Sequence, residues 1–196
     1  AEIRAALEAA GVPYQYIGNH VSPVVESLCD GKIVCRFAGR MEFGPRALGQ
    51  RSILADPRQP QVKVRLNELK GRASWRPFGA VLREQDRETY LEGEFSNPFM
   101  LFTFPVKPQA RGRVPGLVHV DGSTRPQVLE AGHMPDLEQL LSRFGERTGE
   151  PVLLNTSFNR KGEPIVASPV DALACWRGLG ADALWMGPFW ISRPEG

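Results

Sequence analysis

The chain has 196 residues, 42% of them hydrophobic and 23% charged, and its formal net charge is +2. These values are typical of a globular protein with one substantial core and exclude a disordered chain as the first interpretation. Apolar runs such as residues 99–102 are far shorter than the roughly 20 residues that span a bilayer, and the N-terminus lacks a secretory pattern. We therefore expect a cytoplasmic protein without a membrane partner.

Apolar spacing and breaker residues predict alternating elements along the first part of the chain. In order, these are a helix over 1–10, a strand over 14–17, a helix over 22–30, strands over 32–37 and 52–55, a helix opened by Asp56-Pro57, and a strand over 78–82. Ser22 and Pro23 resemble a helix start, with a capping hydroxyl and a proline in the first turn.

The second part of the chain continues this alternation. In order, we predict a short acidic helix over 84–91, a strand over 100–106, a loop over 107–116, a strand over 117–120 before the turn Asp121-Gly122, a helix over 135–147, a strand over 152–154, a helix over 168–178, and strands over 183–186 and 189–192. Ser168 and Asp171 have the spacing of a capping box. Interleaved strands and helices predict a mixed α/β fold with one main domain.

Positive charge is concentrated in one stretch. Between Arg36 and Arg76 there are ten basic and three acidic residues, a net charge of +7, so the rest of the chain is acidic by five. Arginine dominates this stretch, and its planar guanidinium donates two parallel hydrogen bonds to phosphate. The stretch favours an anionic ligand, with a general compositional bias toward arginine as the alternative.

Cysteine and histidine are scattered, and no grouping has metal-ligand spacing. The residues are Cys29, Cys35, Cys175, His20, His119 and His133. We expect reduced, mostly buried thiols and no metal site formed by this chain.

A glycine-rich segment, GRMEFGPRALGQRS, runs from Gly39 to Ser52. Its glycines permit positive φ and close backbone approach to a ligand, and successive exposed amides can form a nest for an anion. Arg46 and Arg51 would add positive charge, and Ser52 a hydroxyl. We interpret the segment as a phosphate-binding loop, with a surface turn bearing solvated arginines as the alternative.

Two shorter segments are also candidate ligand edges. KGRASWRPF, residues 70–78, places three cations within seven residues beside a tryptophan, and HVDGSTR, residues 119–125, delivers His, Asp and Arg to a turn. An exposed basic turn and a simple β-turn explain these segments nearly as well.

A fourth segment, LLNTSFNRKGEPI, begins in a predicted buried strand at Leu153. Strand ends are where open α/β sheets place ligands, and Asn155, Thr156, Ser157 and Asn159 can donate to phosphate or to a base edge. No His or Cys accompanies Ser157 as in a hydrolase triad, so we interpret it as a binding hydroxyl.

These four blocks, in this order, resemble the C-terminal domain of the nodulation, cephem and aminoglycoside O-carbamoyltransferase family. The matching strings are GRMEFGPRALGQRSILADPR, WRPF, HVDGSTR and ERTGEPVLLNTSFNRKGEPIV. The similarity spans about residues 20–190. It implies a YrdC-like α/β fold, a mixed twisted sheet with flanking helices, over residues 31–196, and makes residues 1–30 the connection from an N-terminal domain.

The resemblance also implies a reaction. In that family this domain uses ATP to convert carbamoyl phosphate to carbamoyl adenylate with release of pyrophosphate. A separate N-terminal domain of the actin-like ATPase type, with a metal, passes the carbamoyl group to a hydroxylated small-molecule acceptor. We therefore expect ATP with Mg²⁺ on the nucleotide, carbamoyl phosphate as substrate, and partial activity for the present chain.

Carried over by position, the resemblance implies that Arg46, Lys70, Arg76, Arg125 and Ser157 surround carbamoyl phosphate and the adenylate. Arg51, Ser52, Asn155, Thr156 and Asn159 are the further nucleotide-binding candidates. The stretch between Arg65 and Lys70 is one residue shorter than usual, so Lys63 competes with Lys70 for the site lysine. Gln50 stands where the family usually has Asn.

Two other classes of function remain open from the sequence. The +7 stretch, on a fold with a basic concavity, also fits a nucleic-acid-binding module, although we do not expect nucleic acid as the partner. A catalytically inactive structural domain that retains the fold is the second alternative.

Overall fold

The computed structural model describes residues 1–73 and 75–193; residue 74 of the basic segment and residues 194–196 of the predicted domain lie outside the described residues. The helices are α1 Glu2–Ala9, α2 Ser22–Cys29, α3 Gln61–Leu69, α4 Arg87–Tyr90, α5 Pro108–Arg111, α6 Pro135–Thr148 and α7 Pro169–Leu179. The strands are β1 Gln15–Tyr16, β2 Val34–Phe37, β3 Arg51–Ala55, β4 Gly79–Arg83, β5 Phe104–Pro105, β6 Ser123–Leu129, β7 Val152–Ser157, β8 Ala183–Met186 and β9 Phe189–Ser192.

The nine strands form one mixed sheet in the order β1-β9-β8-β2-β3-β7-β4-β6-β5. The pairs β2–β8 and β4–β6 are parallel, and the others are antiparallel. This arrangement confirms the predicted mixed α/β class.

The sheet is covered on both faces because its central strands are apolar on both sides. In β7, Leu153 packs in a cluster with α2 and α6, whereas Leu154 packs in the opposite cluster with α1, α3 and α7. Successive strand residues point to opposite faces, so each central strand contributes to both clusters.

Residues 1–30 pack on the same body. Leu7 of α1 is fully buried in the cluster that contains α7, and β1 pairs with β9 at the edge of the sheet. The packing shows no boundary at residue 30, and the connection to a preceding domain stays a prediction.

Local signals located several helix ends correctly. Ser168 and Asp171 form the complete capping box at the start of α7, and Gly149, with φ of 80°, ends α6. Helix α2 does begin at Ser22 with Pro23 in its first turn, but it has no side-chain cap, so the predicted capping hydroxyl is wrong. The Asp56 carboxylate accepts from the Arg58 amide at 2.9 Å, but residues 57–60 form turns and α3 begins later than predicted, at Gln61.

The region between residues 100 and 129 differs most from prediction. The predicted strand over 100–106 shrinks to β5, and the predicted loop over 107–116 contains α5. The predicted strand over 117–120 is wrong, because Leu117 ends a 3₁₀ turn and Val120 is fully exposed. A strand does form in this region, but after the turn, as β6. Strand β6 tolerates Pro126 because β5 pairs only with residues 123 and 124, so β6 is unpaired with β5 at Pro126.

The three thiols are free cysteines, with Cys35 and Cys175 buried and Cys29 partly so, as predicted. Within residues 1–73 and 75–193, no helix has the length and apolar character needed to cross a membrane.

Candidate anion-binding site

The four sequence blocks meet at a cavity of about 330 Å³, near the lower end of the usual range for small-molecule sites. The cavity is lined by Pro45, Arg46, Ala47, Arg72, Arg76, Pro77, Phe78, Gly79, Met100, Arg125, Asn155, Thr156 and Ser157. Six of the predicted site residues are therefore brought together: Arg46, Arg76, Arg125, Asn155, Thr156 and Ser157.

Sheet register explains how distant residues converge. Gly79 at the start of β4 pairs with Arg125 of β6 on one side and with Asn155 of β7 on the other. Paired residues of neighbouring strands point to the same face, so Arg125 and Asn155 flank a position without a side chain. A Cβ on Gly79 would lie 2.7 Å from Met100 Cε and 3.1 Å from the Arg125 and Asn155 carbonyl oxygens. Glycine therefore keeps the floor of the cavity open.

The cavity has an excess of unpaired positive charge. Among the described residues, Arg46, Arg76 and Arg125 form no salt bridge, and no Asp or Glu lines the cavity. The Arg125 Nε is buried without a hydrogen-bond partner. Burial, followed by repulsion from Arg46 and Arg76, lowers the pKa of Arg125. Such an arrangement is stabilised by an anion, and a ligand with several negative charges suits it best.

Arg72 is a fourth cation of the cavity; it belongs to the basic segment 70–78 but is not among the predicted site residues. Its Nε donates to Asn67 Oδ1 at 2.8 Å, and its guanidinium carbon lies 3.8 Å from the centre of the Phe78 ring. Burial, with smaller contributions from Arg76 and Arg125, lowers the pKa of Arg72 to about 10. Arg72 remains charged at neutral pH and is held rigidly at the cavity wall.

The predicted anion nest in the glycine-rich segment exists, but its occupant is a side chain of the same segment. Glu42 Oε1 accepts from the amides of Leu48 at 2.7 Å, Gln50 at 2.7 Å and Arg51 at 3.0 Å. These amides are therefore not available to phosphate. The segment presents the Arg46 side chain to the cavity instead. The role of Glu42 as acceptor of these amides was not predicted, because nothing in the sequence distinguishes Glu42 from a solvated carboxylate.

Buried side chains fasten the same segment to the sheet. Arg36 Nε donates to the Gly49 carbonyl at 2.6 Å, and Gln127 Nε2 donates to the Leu48 carbonyl at 2.7 Å. Arg51 donates to the Ala38 and Gly39 carbonyls, and the Ser52 hydroxyl accepts from the Gly49 amide at 3.0 Å. Arg51 and Ser52, predicted to bind nucleotide, are buried outside the cavity lining, where they shape the loop.

Lys70 lies behind the cavity at the end of β7. Its Nζ donates to the carbonyl oxygens of Ser157 at 2.6 Å and Asn159 at 2.8 Å, and to Asn159 Oδ1 at 2.6 Å. The Ser157 hydroxyl donates to the same Asn159 Oδ1 at 2.6 Å. Burial, followed by repulsion from Arg72, lowers the pKa of Lys70 to about 8. Lys70 and Asn159 thus support Ser157 rather than line the cavity.

The alternative lysine is placed differently. Lys63 Nζ donates to the Val118 carbonyl at 2.8 Å, and Lys63 is not part of the cavity lining. The structure therefore favours Lys70 as the lysine nearer to the site.

Other parts of the described chain offer weaker sites. A cavity of about 290 Å³ between α2 and α6 has mixed charge, in which Arg143 pairs with Glu146. Across residues 1–73 and 75–193, no group of three or more His, Cys, Asp or Glu side chains is placed to hold a metal ion.

Sequence comparison shows relatives over most of the chain. A family model described as carbamoyltransferase C-terminus matches residues 25–193. Nodulation protein NolO of Bradyrhizobium diazoefficiens is 41% identical over 177 residues, which cover 88% of this chain and 32% of that protein. The 3'-hydroxymethylcephem-O-carbamoyltransferase of Amycolatopsis lactamdurans is 36% identical over 170 residues, which cover 87% and 32%. The chain thus spans about a third of the length of these relatives.

Structural comparison shows the fold. Full-length HypF in its phosphate- and nucleotide-bound form matches with a TM-score of 0.60 and 19% identity, over 87% of this chain and 25% of that chain. P. abyssi Sua5 complexed with L-threonine matches with a TM-score of 0.56 and 16% identity, over 87% and 47%. Both neighbours contain YrdC-like domains, which confirms the predicted YrdC-like fold.

Proposed function

The chain belongs to the family of carbamoyltransferase C-terminal domains, and on this premise we propose that its cationic cavity activates carbamoyl phosphate with ATP. Carbamoyl phosphate, ATP and water would yield carbamoyl adenylate, phosphate and pyrophosphate. The single observation that carries the proposal is the meeting of four arginines from three separate segments at one cavity whose described lining has no carboxylate.

The charge of the cavity suits the reactants and the leaving group. Carbamoyl phosphate and ATP are polyanions, and negative charge develops on pyrophosphate as it leaves. Arg46, Arg76 and Arg125 reach the cavity from three different segments, and their positive charge would stabilise the transition state electrostatically. Because no carboxylate lines the described cavity, Mg²⁺ would be held by phosphate oxygens and water.

Transfer to a hydroxylated acceptor would belong to the part of the longer relatives that this chain does not span. Large apolar side chains within two residues of cavity-lining residues in the sequence are exposed and can be covered by another domain. They are Phe43, Trp75, Phe99, Leu101 and Phe102. Exposed apolar surface of this kind is typical of an interaction site, and it supports an N-terminal partner domain over the cavity.

The test is pyrophosphate release by the chain with ATP, Mg²⁺ and carbamoyl phosphate. We expect release only when carbamoyl phosphate is present, and a loss of roughly ten- to a hundredfold in Arg125→Ala, because one charge-assisted contact is removed. Arg143→Ala, which changes an exposed arginine on α6, is the matched control and should leave release unchanged.

The alternatives predict different results. Absence of both ATP binding and pyrophosphate release would indicate an inactive structural domain. Binding of any polyanion that weakens steeply with salt, without saturation at one site, would indicate a nucleic-acid-binding module. Efficient carbamoylation of alcohols by this chain alone would contradict the proposed division of labour between domains.

A further inference from the structure

One buried hydrogen-bond acceptor belongs to the wall of a cavity whose charged side chains are all cationic among the described residues. Asn155 is 1% exposed and lines the cavity, and its Oδ1 is buried with no hydrogen-bond partner among the described residues. Buried polar atoms are nearly always paired, so an unpaired one in a cavity wall indicates a missing ligand group. An acceptor oxygen is satisfied only by a donor.

The orientation of the Asn155 amide follows from its neighbours. The Leu48 carbonyl can only accept, so Gln127 must turn its Nε2 toward it, at 2.7 Å. Gln127 Oε1 must then accept, and it does so from Asn155 Nδ2 at 2.9 Å. Asn155 Nδ2 also contacts the Ala47 carbonyl at 3.4 Å, which agrees with this orientation and leaves Oδ1 as the unpaired atom of a side chain that lines the cavity.

The position of Asn155 beside the arginines defines the chemistry of the ligand. Arg125 and Asn155 lie on opposite sides of Gly79, two strand spacings or about 10 Å apart at the backbone. A ligand that satisfies both must carry an anionic group for the arginines and an N–H donor for Asn155. Carbamoyl phosphate has this combination, with its amino group two bonds from the bridging oxygen. The exocyclic amine of adenine is another donor that ATP would supply.

We propose that Asn155 accepts a hydrogen bond from the amino group of the carbamoyl moiety and thereby selects carbamoyl phosphate over acyl phosphates without an amine. The inference rests on the proposed function. Acetyl phosphate replaces the amino group by a methyl group and would leave Asn155 Oδ1 unpaired. Sites that pair with a substrate N–H discriminate strongly against an analogue that lacks it.

The test compares binding of carbamoyl phosphate, acetyl phosphate and inorganic phosphate to the wild-type chain and to Asn155→Leu. Leucine keeps a similar size and shape but has no acceptor. We expect the wild type to prefer carbamoyl over acetyl phosphate by about tenfold or more, and Asn155→Leu to show a ratio near one. Inorganic phosphate needs only the arginines, so its affinity should be unchanged and reports an intact cavity.

A second variant keeps Asn155 and removes the group that orients it. In Gln127→Met the Asn155 amide loses its 2.9 Å contact and keeps only the 3.4 Å contact with the Ala47 carbonyl, so the preference for carbamoyl over acetyl phosphate should fall several-fold. Loss of the Leu48 contact weakens both phosphates alike through Arg46, so the ratio of the two affinities is the readout. This variant decides the matter if Asn155→Leu does not fold.

The outcomes separate the inference from the proposed function. Equal binding of carbamoyl and acetyl phosphate by the wild type overturns the inference and leaves the anion site in place. An unchanged preference in Asn155→Leu, with weaker ATP binding, also overturns it and assigns Asn155 to the adenine amine. Failure of the wild type to bind any of the phosphates overturns the proposed function as well.

Discussion

Replacement of Glu42 by alanine should loosen the glycine-rich segment and weaken anion binding through Arg46. The carboxylate accepts from three backbone amides, and a hydrogen bond to a charged group contributes about 1.5–3 kcal/mol net, so roughly 4.5–9 kcal/mol is an upper limit. Loop amides can turn to water instead, and Arg36 and Gln127 still hold the neighbouring carbonyls. We therefore expect a loss of about 2–4 kcal/mol in the free energy of unfolding.

The assay combines denaturant unfolding with amide hydrogen exchange of the peptide that contains residues 39–51. A local loss of about 2 kcal/mol corresponds to roughly thirtyfold faster exchange at Leu48, Gln50 and Arg51. Glu42→Gln keeps one acceptor oxygen without the charge and should fall between alanine and wild type. Glu146→Ala removes an exposed carboxylate from a surface pair and should change stability by less than about 1 kcal/mol.

A double-mutant cycle tests whether Glu42 acts through Arg46. If it does, Glu42→Ala should weaken ATP binding little further once Arg46 is alanine, whereas its effect should add to that of Arg76→Ala. Unchanged exchange and stability in Glu42→Ala would refute the reasoning, because the three amides would then have no need of the carboxylate.

The other predictions concern the cavity floor and walls. Arg76→Ala should weaken ATP or carbamoyl phosphate binding ten- to a hundredfold without changing the melting temperature. Phe78 is only 2% exposed, so Phe78→Ala should lower the free energy of unfolding by about 3–5 kcal/mol in a denaturant titration. Gly79→Ala should displace Met100 and weaken the binding of ATP, measured by calorimetry. If this variant binds ATP as tightly as the wild type, a methyl group at position 79 does not close the floor of the cavity. Lys70 is protonated below its pKa of about 8 and loses the proton as pH rises through it, so ATP affinity should fall above pH 8. Lys70→Met should lack this pH-dependent step, and a wild-type profile flat to pH 10 would contradict the role of the ammonium group.

Local chemistry could be predicted from the sequence where the determining groups are close in the chain. Ser168 and Asp171 are three residues apart and form their capping box without help from the rest of the fold. Arg46 and Ser157 have residue types that suit a phosphate ligand beside a glycine turn and a strand end, and the resemblance to the carbamoyltransferase family selected them together with Arg125. Strand β6 could not be located, since Pro126 normally argues against a strand and only the short β5 beside it makes an edge there.

Tertiary structure alone decided which groups remain free for a ligand. The amides of the glycine-rich segment look available in sequence, but Glu42 folds back and takes them. The sequence suggests that Asn155 donates to phosphate, but its amide nitrogen donates to Gln127 instead and its Oδ1 is left unpaired. Every polar group has several candidate partners, and strand register and packing select among them. Which partner a polar group takes depends on the free energies of contacts between residues that are distant in the chain. These contacts form only when the sheet brings the residues together.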